Sequence, residues 1–179
     1  MDVLKGFSKD KSLGPDGWSV DFYFHFYYLI EKYLLEVIEK SCRTGVVNKA
    51  LNSTFITLIP KLKGVNVADT FHPITLCNVI YKIISKLVYT ILKPILPLII
   101  SQEQGLFLEG RKILDGIIVA HEAINSLKIS KKVAMMMKLD MSKAYDRMNL
   151  YFLRRMLLAF GFAEDWVTWV MNLVSKDFF

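Results

Sequence analysis

Chemistry is concentrated in the string Lys138-Leu-Asp-Met-Ser-Lys-Ala-Tyr-Asp-Arg, which holds two carboxylates, Asp140 and Asp146, and the phenol of Tyr145. Upstream runs Val133-Ala-Met-Met-Met, apolar and bounded by Lys131 and Lys132, which predicts a buried strand with Asp140 at its far end. Ser142 suits the N-cap of a short helical segment beginning at Lys143. A carboxylate at a strand end, beside a helix N-terminus, is well placed to hold a divalent cation over an open cleft. An Asp at such a junction also serves simply to satisfy backbone N–H groups, and one Asp supplies too few oxygens for a hard cation. By themselves these residues leave both readings open.

The elements that must position this string can be read in order. Gly14-Pro-Asp-Gly is a turn signal, with Pro fixing one φ and Gly free to take a positive one. Residues 19–41 read as one long helix with Phe22, Phe26, Leu29, Tyr33, Val37 and Ile38 as its core stripe and Gly45 just past its end. Thr54-Phe-Ile-Thr-Leu-Ile is a strand that stops at Pro60, with Lys61 and Lys63 following as solvated charges or phosphate contacts. Asp69-Thr-Phe-His-Pro-Ile-Thr-Leu turns into a second short strand, and Asn78 caps a helix over 79–92 that Pro94 ends.

A polar loop, Ser101-Gln-Glu-Gln-Gly-Leu-Phe-Leu-Glu-Gly-Arg, precedes an amphipathic helix over 113–127, in which the lone His121 is a packed or surface residue. Helices follow over 150–160, stopped by Gly161, and over 164–174, and Asp177-Phe-Phe begins a strand. The fold class is therefore α+β.

Composition narrows the function without choosing it. The length of 179 residues supports one domain with a sizeable core. Hydrophobic residues reach 53% and the mean hydropathy is +0.33, which predicts surfaces that something else covers. A net charge of +6 and a pI near 9.2 favour a polyanionic partner. Cys42 and Cys77 are far apart and outside any Cys/His cluster, so they are expected to pack, without a disulfide partner or structural zinc, in a reducing compartment. No leader pattern is present, and the apolar run over 83–100 carries Lys86, Lys93, Pro94 and Pro97, which excludes a membrane span. An intracellular protein, nuclear or cytoplasmic, is expected.

The ordered strings Gly14-Pro-Asp-Gly, Phe55-Ile-Thr-Leu-Ile-Pro-Lys, Phe71-His-Pro-Ile-Thr-Leu-Cys-Asn-Val-Ile-Tyr-Lys, Gln104-Gly-Leu-Phe-Leu-Glu-Gly-Arg, the Asp140 string and Leu158-Ala-Phe-Gly-Phe-Ala-Glu-Asp-Trp resemble the reverse transcriptase domain of non-LTR (LINE-type) retrotransposons, especially those of plants. The resemblance implies the fingers and proximal palm of a right-hand polymerase fold, with residues 1–132 fingers-like and 133–179 the start of the palm, a single incomplete domain. It implies a catalytic, metal-binding role for Asp140, and a ring at Tyr145 that excludes a ribose 2′-hydroxyl. Lys61 would lie near the nucleotide phosphates, with His72 where the family has an arginine. Arg111 and Lys63 would line the nucleic-acid cleft, and Asp146 and Lys143 would support the motif.

By the same resemblance the cofactor is Mg²⁺, or Mn²⁺ in its place, and the partners are an RNA template, a DNA primer and a dNTP. The family's second carboxylate set, on a Tyr-x-Asp-Asp hairpin, and its thumb are not found in these 179 residues, so the metal cage is incomplete and no polymerase activity is expected from the chain alone. Leu13, His72 and Glu109 replace a proline, an arginine and a proline of the family pattern. Two other readings compete: a basic nucleic-acid-binding module without catalysis, and a retroelement remnant without function.

Overall fold

The computed structural model describes residues 2–8, 12–61, 70–105, 108–131, 133–137, 139 and 147–175. The chain divides into two compact units, residues 1–88 with 154–179, and residues 89–153.

In the first unit, helix α1 (Asp2–Lys5) precedes the Gly14-Pro-Asp-Gly turn, and α2 (Val20–His25) starts where Ser19 Oγ accepts the Phe22 N–H at 3.1 Å. The expected single helix over 19–41 is two: α2 ends at Phe26, and α3 (Tyr27–Thr44) runs on to Gly45 at φ +68°. No Gly or Pro announces that break. It coincides with an aromatic ladder, Trp18 on Phe22 at 4.1 Å and Phe22 on Phe26 at 4.9 Å.

The break divides the expected stripe: Phe22, Val37 and Ile38 are half-buried as expected, and the middle of the stripe is not. Phe26, Leu29 and Tyr33 are exposed, whereas Leu34 and Ser41 are buried and Tyr27, Ile30 and Ile38 are half-buried around them.

Short helix α4 (Lys49–Asn52) leads into a hairpin of β1 (Thr54–Pro60) and β2 (Phe71–Cys77). They pair antiparallel from Thr54↔Cys77 to Pro60↔Phe71, and Lys61 N–H donates to the Thr70 carbonyl at 2.8 Å one step further. Both strands are sheet edges, which is why Pro60 and Pro73 are tolerated. Much of their apolar surface stays in solvent, with Phe55, Ile56 and Leu58 all more than half exposed.

Helix α5 (Val79–Leu92) ends before Pro94, as its sequence dictates, and buries Val79, Ile83, Ile84 and Val88 along one face. Leu4, Val20, Tyr23, Leu34, Val79 and Ile83 form the central apolar cluster. Helix α9 (Glu164–Val174) packs on the same unit through Val167, Trp169, Val170 and Leu173. Three hydrogen bonds fasten it: Trp169 Nε1–H donates to the buried Ser41 hydroxyl at 3.0 Å, Asn172 Nδ2 to the Gly45 carbonyl at 2.7 Å, and the Tyr81 hydroxyl of α5 to the Leu173 carbonyl at 2.7 Å. Burial drives the Tyr81 phenol above its ordinary pKa, helped by the nearby Cys77 thiol.

The second unit holds α6 (Leu96–Ile99), the loop 100–112, α7 (Ile113–Ser130) and the start of α8 (Leu150–Ala159), which ends at Gly161 with φ +86°. The expected amphipathic helix forms and extends three residues beyond 127, but none of its side chains is buried, and Ile113, Leu114, Ile117, Ile118, Val119 and Ile129 lie mostly in solvent.

The buried strand expected over 133–137 is not observed. These residues carry no strand, and Val133, Met135, Met136, Met137 and Leu139 are exposed. A strand needs a neighbour for its N–H and C=O groups, and among the described residues β1 and β2 pair only with each other. Cys42 is likewise exposed, against the expectation that it packs, and Cys77 is half-buried; both are free thiols. His121 is on the surface. Among the described residues no helix is long and apolar enough to cross a membrane. The expected strand at Asp177 lies outside the described residues.

Candidate functional site

Two of the sequence boxes, the Gly14 turn and the Phe71 string, meet at Asn78. It stands at the cap of α5 as expected, its carbonyl accepting the Lys82 N–H at 3.1 Å, and its side chain, 1% exposed, joins two distant segments. Asn78 Oδ1 accepts the Asp16 N–H at 3.1 Å, while Nδ2 donates to the Ala50 carbonyl at 3.0 Å and lies 3.4 Å from the Leu51 carbonyl and the Ser53 hydroxyl. The Gly14-Pro-Asp-Gly turn closes by Gly17 N–H to Gly14 O at 3.0 Å, with Gly17 at φ +72°, and Asp16 Oδ1 accepts the Trp18 N–H. A Cβ on Gly14 would come within 2.7 Å of Asn78 Cα, so only glycine permits this approach. The turn is thus seated on the root of the hairpin, between β2 and α5. Its turn chemistry was legible, but its partner was not, because an Asn directly before a helix is read first as a cap.

The hairpin carries Lys61 and His72. The register pairs Ile59 with His72, and Lys61 directly follows β1, so both residues lie at the same end of the hairpin. Each is exposed. A Lys ammonium and an imidazole N–H can each meet phosphate oxygens, the one as a charge and the other as a hydrogen-bond donor.

Arg111 has a different environment. Its Nη1 donates to the carbonyls of Ser101 and Gln104, the latter at 2.7 Å, and its Nη2 to the Ile100 carbonyl at 2.9 Å. The guanidinium therefore fastens the loop 100–112 to itself. Glu109 pairs with Lys93 at 3.0 Å, and that bonded carboxylate raises the Lys93 pKa. The Glu103 carboxyl is held below its usual range by the Ser101 hydroxyl, by its own backbone N–H and by the Arg111 charge.

Lys63, Asp140, Ser142, Lys143, Tyr145 and Asp146 lie outside the described residues. Among the described residues no group of three or more His, Cys, Asp or Glu side chains could hold a metal ion.

Comparison with known proteins identifies the class. A family profile for reverse transcriptase (RNA-dependent DNA polymerase) matches residues 59–178, more than half of the chain, and the chain belongs to that family. Over 174 residues it is also 23% identical to the Transposon TX1 uncharacterized 149 kDa protein of Xenopus laevis, a match that covers 97% of this chain and 13% of that protein. The turn at Gly14 precedes the profile match, yet its anchor Asn78 and the pair Lys61 and His72 lie inside it.

Proposed function

We propose that these residues are a piece of a LINE-type reverse transcriptase, of the plant type of non-LTR retrotransposon, in which residues 1–132 build the fingers-like region and 133–179 begin the palm of a right-hand polymerase. The reading is supported by the order of the boxes, by the family membership and by the transposon protein aligned along nearly the whole chain. The reaction is RNA-directed DNA synthesis inside the cell, nuclear or cytoplasmic. A primer 3′-hydroxyl attacks the α-phosphorus of a dNTP opposite an RNA template, and pyrophosphate leaves.

Lys61 and His72 hold the triphosphate, Tyr145 rejects the ribose 2′-hydroxyl, and the Arg111 loop with Lys63 borders the template and primer. Asp146 and Lys143 shape the turn around Asp140. Mg²⁺, or Mn²⁺, bound in the complete enzyme would activate the attacking hydroxyl and neutralise the leaving phosphates. Asp140 is the ligand type such an ion takes, but the described residues supply no further carboxylate cluster to complete a cage, so the metal's part in this chain ends there.

The observation that carries the reading is the placement of Lys61 and His72, both exposed, at one end of the hairpin. The 179 residues contain no Tyr-x-Asp-Asp string, and alone they are not expected to polymerise. Primer extension on an RNA template with Mg²⁺ and dNTPs tests this: no incorporation is expected, and incorporation abolished by Asp140→Asn would overturn it. The net charge of +6 favours a second reading, a nucleic-acid-binding module without chemistry, in which Lys61→Ala weakens binding and Asp140→Asn leaves it untouched.

A further inference from the structure

We infer that Arg111 is a positioning residue and that its neighbour Lys112 is the side chain of this loop that meets the nucleic-acid phosphates. The inference deepens the reverse transcriptase reading, on which its nucleic-acid part rests.

Residues 101–112 contain two cations, Arg111 and Lys112, and the structure spends them differently. Arg111 is half-buried, with three of its five N–H donors committed to the carbonyls of Ile100, Ser101 and Gln104. Three converging carbonyls suit a planar fork with five N–H donors, a geometry a lysine ammonium does not reproduce. Its charge is partly offset by Glu103. A phosphate meeting both Nη1 donors of Arg111 would have to displace the Ser101 and Gln104 carbonyls.

The remaining charges near the loop follow the same logic. Glu109 is paired with Lys93 at 3.0 Å, which removes an anion that would otherwise repel a polyanion. Lys112 is exposed, directly follows the fastened arginine, and its side chain has no hydrogen-bond or ion-pair partner among the described residues. Its backbone is extended, φ −116° and ψ 139°, at the junction between the loop and α7. Arg111 holds the loop in shape and thereby sets the place from which Lys112 projects.

Charge-conserving and charge-removing variants separate the two roles. The full chain and its Arg111→Lys, Arg111→Ala and Lys112→Ala variants are titrated with an RNA/DNA hybrid at several salt concentrations. Hydrogen exchange at the residue 104 and 111 amides is followed without nucleic acid.

Arg111→Lys is expected to behave like Arg111→Ala: exchange at both amides rises at least tenfold, and affinity falls at every salt concentration with an unchanged salt slope. Lys112→Ala is expected to leave exchange unchanged and to reduce the slope by about 0.9, the loss of one phosphate contact. If Arg111→Lys keeps wild-type exchange and affinity while Arg111→Ala loses slope, Arg111 is the phosphate contact and the inference is wrong. An unaltered slope in Lys112→Ala would overturn the role given to Lys112. If the unmodified chain fails to bind the hybrid, the reverse transcriptase reading and the role of Lys112 fail together, and the exchange data still decide whether Arg111 holds the loop.

Discussion

The two units spend their apolar residues in opposite ways. In the first, α9 is tied to α3 and α5 by the Trp169, Asn172 and Tyr81 hydrogen bonds, and Asn78 seats a turn 62 residues away in sequence. In the second, α7 buries none of its side chains, and Val133, Met135 and Leu139 are more than four-fifths exposed. Apolar content alone therefore does not make a core. A helix contributes to stability when a partner supplies both the facing surface and acceptors for its polar atoms. The apolar face of α7 has the first requirement unmet among the described residues, and its stability rests on its own helix.

Breaking the first unit should have the largest effect. Gly14→Ala puts a methyl group against the Asn78 backbone, which cannot yield as a flexible side chain would, and should destabilise by about 3 kcal/mol in denaturant unfolding. A wild-type midpoint in that variant would mean that the turn is not seated on Asn78.

A smaller effect is expected at alkaline pH. Burial, and then the Asp16 charge, raise the Tyr23 phenol from 10.0 to about 12, so between those values the unfolded chain loses this proton first and the folded chain keeps it. Stability is unaffected by this group below pH 10 and falls as pH rises towards 12. Tyr23→Phe should flatten that alkaline decline in a series of thermal melts; an unchanged decline would place its cause elsewhere.

The second unit should respond least. Ile117→Ser on the exposed α7 should shift unfolding by no more than about 0.5 kcal/mol, while lowering self-association in light scattering. A loss of several kcal/mol would show that Ile117 has a packing partner after all and erase the contrast between the units.

Much of the fold was legible where local chemistry decides it. Pro94 follows the end of α5, Gly161 at positive φ follows α8, and the β-branched runs before Pro60 and around Pro73 are strands. What escaped depends on distant partners. The break at Phe26 has no Gly or Pro to mark it and moved the buried face of α3 onto Leu34 and Ser41. Met135 to Met137 read as a buried strand because their composition is apolar, but composition does not reveal whether a neighbouring strand exists to pair with them.

The site divides the same way. The two strands next to Lys61 and His72 were legible in their β-branched and aromatic residues, whereas their register depends on a pairing that composition does not reveal. The partners of Arg111 are backbone carbonyls, which any residue carries, so no side-chain pattern could disclose them. The carboxylate string around Asp140 remains a sequence-level assignment, carried by its resemblance and by the family match across it.

The central claim, that the free end of the hairpin receives phosphates, is tested most directly by the salt dependence of RNA/DNA hybrid binding in the intact chain and in Lys61→Ala. The account predicts affinity that falls steeply with salt, and a slope shallower by about 0.9 when Lys61 is removed. Binding indifferent to salt, or a slope unchanged by Lys61→Ala, would contradict it.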